Sequence, residues 1–272
     1  MPLTNPYKSE PVRWQTVAME LRRSRTVVPL IEHLAEAVST NDALVARAAE
    51  LPDLAVVVTE NQTGGRGRLG RVWVSPPGRS LAISVLLRPE GLPLESFGWF
   101  PLLAGLAMCR AVASFVPGDV SVKWPNDVLI DGAKVSGILT ELLPDRSGLV
   151  VGAGVNVALR ADELPTDVST SLALAGAGHE PDRDAVLAAY LIQLTTLYRE
   201  FLTAGGDPVA SALRDEVVEA CHTVGRPVRV ELPGTDALLG TAVGIDETGR
   251  LLVESDAGVT AVAAGDVTHL RY

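Results

Sequence analysis

The dipeptide Asp131-Gly132 constrains this chain more than any other feature. It separates "DVLI" from "AKVSGILTEL", two runs rich in β-branched and aliphatic residues. An Asp-Gly pair accepts the positive φ angles of a two-residue hairpin turn, whose twist matches that of the flanking strands. "VSVK" precedes the first run, and "SGLVVGAGVNVAL" follows the second after another turn. Val120–Val157 therefore reads as an antiparallel meander, central to a sheet. "LAVVVTENQ" predicts a buried strand over Ala55–Thr59, and "SLAISVLLRP" predicts another, ended by Pro89. Helices are predicted over Phe97–Val116, Asp184–Ala204 and Pro208–Ala220. "STND" before "ALVARAAEL" reads as a loop feeding a helix, with Ser39, Thr40 or Asn41 as its cap. The expected fold class is α/β of the α+β kind: a mixed, largely antiparallel sheet with helices.

From Cys221 the character changes to short strands joined by Gly, Asp and Glu turns, such as "GRPVRVEL" and "GIDETGRLLVES". Some fifty residues of this kind predict a small C-terminal β-barrel of SH3-like size. The expected division is 1–220 for a larger domain and 221–272 for the smaller one. With 23 Lys and Arg against 33 Asp and Glu, the formal charge is −10. That balance argues against a broad nucleic-acid surface and leaves room for a local basic pocket. Cys109 and Cys221 are too few for a disulfide framework, and Cys109 is expected to be buried in its apolar run. The four histidines show no ligand spacing, so no protein metal cage is expected. No signal segment and no apolar run of transmembrane length is read, which predicts a soluble, cytoplasmic protein without membrane contact.

Between the two strand regions lies "GGRGRLGRVW", Gly64–Trp73, with four glycines and three arginines in ten residues. Glycines let a backbone approach a ligand closely, and guanidinium forks match carboxylate or phosphate. The loop is read as an anion holder. Gly65, Gly67 and Gly70 have the G-x-G-x-x-G spacing, but Pro76 and Pro77 forbid the helix that a dinucleotide fingerprint needs. In an extended loop Arg66 and Arg68 would project alike and Arg71 otherwise. Without ligand, their mutual repulsion is expected to leave Gly64–Gly70 open and poorly ordered.

A second cluster is "KWPND", Lys123–Asp127, with Lys134 seven residues after Asp127. Among apolar neighbours, Lys134 either snorkels to solvent or reaches an anion. Gly137 in mid-strand suggests close approach by a ligand or backbone. "STN" and Gln62 offer hydroxyl and amide groups for a neutral polar ligand, although "STN" can also act only as a cap.

Together "STN", "ENQTGGRGRLGRVWVSPPG", "KWPNDVLIDGAKVSGIL" and "VVGAGVNV" resemble the biotin–protein ligases, in order and spacing over about Val38–Val157. The resemblance implies a class II synthetase-like catalytic domain. It implies that ATP and biotin react to biotinyl-5′-AMP and pyrophosphate, with Mg²⁺ accompanying the nucleotide, and that a lysine of a biotin carboxyl carrier protein then takes the biotinyl group. Carried over by position, Ser39, Thr40, Asn41 and Gln62 match the contacts to the biotin head. Arg66, Gly67 and Arg68 match the loop that closes over biotin and the adenylate phosphate. Lys134 matches the lysine beside the biotin carboxylate and α-phosphate, with Gly137 leaving room there. Trp73 and Asn156 match positions near the adenine, and Arg271 one near the nucleotide. Lys123 and Asp127 match the side where the acceptor lysine enters. Lys134 and Arg66 are the expected catalytic cations. Some members of the family carry an N-terminal winged helix and act as repressors. Here "STN" begins at residue 39, so no DNA-binding domain and no nucleic-acid partner is expected. Two other readings stay open: a lipoate-type acyl ligase of shared architecture, and a non-catalytic sensor of biotin or its adenylate.

Overall fold

The computed structural model describes residues 19–73, 75–232, 236–263 and 265–270. Arg271 lies outside the described residues. The first sheet draws on β1 (Leu30–Leu34), β2 (Ala55–Thr59), the eight-residue strand after the glycine-arginine loop, and the meander. Ser39 caps the short helix α1 (Thr40–Val45), its side chain accepting from the Asp42 amide at 3.2 Å. The loop forms a small hairpin, β3 (Gly65–Arg66) against β4 (Val72–Trp73). β5 (Ser80–Leu87) and the long helix α2 (Phe100–Ala113) follow, then β6 (Val120–Lys123), β7 (Asp127–Ile130), β8 (Ala133–Leu142) and β9 (Leu149–Asn156). Asp131 and Gly132 take φ of 49° and 81°, as the β7–β8 turn requires. Among the described residues the strand order is β1-β2-β5-β9-β8-β7-β6, with β1–β2 parallel and every other pair antiparallel.

Strand alternation sorts the two faces of this sheet. Leu81, Ile83, Val85 and Leu87 of β5, with Val151, Ala153 and Val155 of β9, join the main core against α2 and α3 (Arg183–Thr203). On the opposite face Leu86 and Val150 join Leu44, Ala55 and Val57 in a smaller cluster beneath α1. Further along that face the residues are Ser84 and Ala82 on β5 and Gly152, Gly154 and Asn156 on β9. Small side chains there leave the sheet unfilled, and the pocket described below occupies this part.

The run Leu94–Ala113 is long and apolar enough to cross a membrane, contrary to the reading from sequence, but 72% of its apolar 18-residue stretch is buried within the protein. It is two elements, a 3₁₀ turn over Leu94–Trp99 and then α2. An apolar surface on all sides is what a core helix needs. Helix α4 (Leu213–Ala220) starts later than the expected Pro208, because Ala212 is left-handed at φ 60° and breaks the run. Cys109 is buried, and burial pushes its thiol up to about 11.

Beyond α4 the chain runs beside β6, with the His222 amide donating to the Val122 carbonyl at 2.8 Å. The C-terminal residues form an antiparallel sheet of β10 (Pro227–Glu231), β11 (Leu238–Ile245), β12 (Leu251–Ser255), β13 (Gly258–Val262) and β14 (Asp266–His269). Their order is β13-β12-β11-β10-β14. Two fully buried indoles fasten the β11–β12 turn to the larger unit. Trp99 Nε1 donates to the Glu247 carbonyl at 2.8 Å, and Trp124 Nε1 donates to the Gly249 carbonyl at 3.1 Å. Removing such a ring leaves a cavity and an orphaned carbonyl. Trp99→Ala is expected to cost about 3–5 kcal/mol of stability in urea unfolding. A loss below about 1 kcal/mol would show that the two units do not depend on this contact.

Candidate functional site

The open part of the sheet holds a cavity of about 760 Å³. Every site residue expected from the sequence lines it, Arg271 aside. Its floor is made of missing side chains. Gly137 of β8 pairs with Gly154 of β9, and Gly152 lies two residues back on the same face. The Trp73 indole lies against Gly154 and Gly137: a methyl at Gly154 would come within 2.5 Å of the ring, and one at Gly137 within 3.4 Å. Gly152 leaves similar room for the Asn41 amide. The sequence reading had singled out Gly137. Gly152 and Gly154 carry a recognisable signal, two glycines at strand period in "VVGAGVNV".

One end of the cavity is a neutral hydrogen-bonding corner. The Thr40 amide and hydroxyl both donate to Gln62 Oε1, at 2.9 and 3.1 Å. The Ser84 hydroxyl reaches Thr40 Oγ1 at 2.8 Å and Asn41 Oδ1 at 2.6 Å. Ser39, Thr40 and Asn41 are buried. Ser84 was not foreseen, because its place on the pocket face depends on the strand's register.

The hairpin crosses this end. Its base is tied down by the Thr63 amide to the Ala37 carbonyl and the Gly64 amide to the Val38 carbonyl. The arginines do not project as an extended loop would place them. Arg66 lies in β3, and Arg68 opens a 3₁₀ turn over Arg68–Gly70 in which Leu69 and Gly70 take positive φ. Arg66 turns to α1 and β8. It donates two bonds to the Asp42 carboxylate at 2.6 and 2.7 Å, and a third to Glu141 Oε1 at 3.3 Å. Hydrogen bonding to Arg66 holds the Asp42 carboxyl below its ordinary value, and the same bonds raise the guanidinium. Arg68 turns instead towards "KWPND" and donates to Asn126 Oδ1 at 3.3 Å. The expected repulsion is offset by partners supplied from three other segments, and the hairpin lines the cavity.

Lys134 sits in the middle, 5.9 Å from the centre of the Trp73 ring. Its ammonium is 2.6 Å from Asp127 Oδ1 across the β7–β8 pair. Asp127 thus lies inside the pocket as the partner of Lys134. A register shift between Val128 and Leu129 brings the two side chains to one face. Asn126 fixes the turn before Asp127, with its amide donating to the Ile138 carbonyl at 2.8 Å. Asn156 donates to the Thr170 carbonyl at 2.9 Å near the far wall.

The other end is cationic, and of its residues only Lys123 was expected from the sequence. Lys123, His222, Arg226 and His269 all line it. The two imidazoles are 5.3 Å apart, and Arg226 approaches His222 Nδ1 at 3.3 Å. The histidines are 47 residues apart in the chain and meet only because the segment after α4 runs beside β6 while β14 pairs with β10. Burial, then Lys123, His222 and Arg226, lower His269 to about 4. Burial and Arg226 also lower His222, with Asp119 opposing them.

Sequence and structure comparisons agree on one kinship. A model described as "Biotin/lipoate A/B protein ligase family" matches residues 35–157, and one described as "Biotin protein ligase C terminal domain" matches residues 223–270. A biotin--[acetyl-CoA-carboxylase] ligase of Mycobacterium tuberculosis is 36% identical over 246 residues, 89% of this chain and 89% of that protein. A bifunctional ligase/repressor of Bacillus subtilis is 34% identical over 79% of this chain and 66% of that protein. A biotin protein ligase of Aquifex aeolicus, solved in complex with biotin and ATP, superimposes with a TM-score of 0.75 at 29% identity, covering 90% of this chain and all of that one.

The lowered His269 makes the cationic end acid-sensitive. A group protonated less readily folded than unfolded stabilises the fold above its unfolded pKa, and that stability is lost as the pH falls towards its folded pKa. Thermal stability is expected to decline as the pH drops from 6.5 towards 4, in the window set by the lowered value. His269→Gln should make that decline shallower in pH-dependent melting curves. Equal slopes for parent and variant would show that His269 does not contribute.

Proposed function

The chain belongs to the biotin protein ligase family, and from that membership we propose that it activates biotin with ATP and transfers it to a carrier lysine. A biotin carboxylate oxygen attacks the α-phosphorus of ATP. The bond to the bridging oxygen breaks and diphosphate leaves, giving biotinyl-5′-AMP. The amine of one lysine on a biotin carboxyl carrier domain of an acyl-CoA carboxylase then attacks the acyl carbon. AMP leaves, and the amine loses a proton as the amide forms.

The observation that carries this reading is the order of chemistries along one cavity. The neutral corner of Thr40, Asn41, Gln62 and Ser84 offers both donors and acceptors, which suits a ureido ring. The middle holds Lys134 beside the Trp73 face, where a carboxylate and an α-phosphate would meet. Asp127 keeps that lysine oriented until an anion replaces it. Trp73 offers a flat surface beside a glycine floor for the adenine, with Asn156 beyond. Lys123, Arg226 and the histidines suit the diphosphate end of ATP, because opposing charge built into the site stabilises a leaving anion without reorganisation. Arg66, already paired with carboxylates, enters as the clasp of the loop, and Arg68 and Lys134 as the cations nearer the reacting atoms. Among the described residues no three His, Cys, Asp or Glu side chains converge. The donor set therefore fits a Mg²⁺ carried in on the nucleotide and held by phosphate oxygens and water, where it would neutralise charge on the leaving diphosphate. The proposed location is the cytoplasm.

The test is pyrophosphate release, with Lys134→Ala beside the parent. Release that needs both biotin and ATP, and falls about 100-fold or more in the variant, is expected for an electrostatic group at the reacting centre. Release with lipoate in place of biotin would move the chain to the lipoate-type branch. No release with either acid would reduce it to a binding protein.

A further inference from the structure

Glu141 and Asp42 belong to none of the roles assigned above, yet they hold the first strand of the hairpin through Arg66. Asp42 takes Arg66 through both carboxylate oxygens, and Glu141 takes it through Oε1. The second oxygen of Glu141 accepts from Asn41 Nδ2 at 2.5 Å. Asn41 in turn accepts from Ser84, which also touches Thr40. A continuous path of hydrogen bonds thus runs from the neutral corner, through Glu141, to the guanidinium of the hairpin. Gly152 is what lets Asn41 lie flat enough on the sheet to make the path.

We propose that Asp42 and Glu141 are positioning residues that latch the Gly65–Trp73 hairpin over the pocket through Arg66, and that Glu141 couples this closure to occupation of the head-group corner. The proposal rests on the ligase reading for what is enclosed, but the latch itself stands on contacts within the chain. The Arg66 and Asp42 side chains are 45% and 54% exposed. Exposed pairs are individually weak and screened by salt, which suits a closure that must also open. A ligand at the corner that takes hydrogen bonds from Asn41 or Thr40 reorients the Asn41 amide, and Glu141 transmits that change to Arg66. Closure keeps water from the acyl phosphate formed beneath the hairpin.

The experiment has a readout that needs no ligand and one that does. Trypsin cuts after arginine, so cleavage after Arg66, Arg68 and Arg71 reports hairpin opening in the free protein. Glu141→Gln and Asp42→Asn are each expected to speed that cleavage, and to speed release of preformed biotinyl-5′-AMP by about fivefold or more, the range of a modest coupling between sites. The melting temperature should stay within about 2 °C, as surface changes usually allow. The double variant should add little, because both carboxylates act through one guanidinium. In the parent, added salt should speed cleavage in the same way, which keeps the test alive if a variant does not fold. Unchanged cleavage in both variants and in high salt would overturn the latch. Faster cleavage with unchanged adenylate release would overturn the coupling to the pocket. A parent that forms no adenylate at all would count against the ligase reading and leave the cleavage result to decide the latch.

Discussion

A cavity can open on the face of a packed β-sheet only where side chains are missing, and here two paired central strands supply that gap. Gly137 faces Gly154 across β8 and β9, with Gly152 beside them. The backbone hydrogen bonds of the sheet are complete there, so the floor is rigid although it carries no side chains. Everything else in the site depends on that floor. Trp73 can lie against the sheet only above Gly154 and Gly137, Asn41 only above Gly152, and Lys134 reaches the middle because nothing on Gly137 blocks it. The opposite faces of the same strands carry Val151, Ala153 and Val155 into the main core, so the stability of the sheet and the emptiness of the pocket come from alternate residues of one segment.

Charge is distributed over this floor in a graded way. Arg66 is paired with Asp42 and Glu141, and Lys134 is paired with Asp127. At the far end Lys123 and Arg226 face two imidazoles that burial and neighbouring cations keep neutral. An acidic protein of net charge −10 thus keeps a local positive potential at one end of one cavity. In the proposed reading, that end would draw the polyanionic substrate and the other would accept the neutral ring. The C-terminal sheet takes part, since it contributes Arg226 and His269 and is fastened by Trp99 and Trp124.

Much of this was legible in the sequence, and the misses have physical reasons. Asp131-Gly132 dictated a turn type, so the meander followed, and a run of valines marked β2 over Ala55–Thr59. The loop, "KWPND", "STN" and Lys134 were each chemically unusual where they stood, and they line one pocket. What was not legible depends on long-range placement. Asp42 and Glu141 look like ordinary surface carboxylates, 24 and 75 residues from Arg66, and only the fold makes them its partners. Arg66 and Arg68 part because the fold offers them different partners, Asp42 and Glu141 to one and Asn126 to the other. His222 and His269 meet through the docking of one sheet on another. The run Leu94–Ala113 was underestimated because its apolar length spans a 3₁₀ turn and a helix that only together form one rod.

The central claim is that one cavity holds biotin, the reacting phosphate and the nucleotide in a fixed order from the neutral corner to the cationic end. A crystal structure with biotinyl-5′-AMP bound tests it most directly. The account predicts the ureido ring against Thr40, Asn41 and Gln62, the adenine on Trp73, and Lys134 turned from Asp127 towards the acyl phosphate. An adenylate bound in the reverse direction, or one that leaves the Lys134–Asp127 pair untouched, would contradict it.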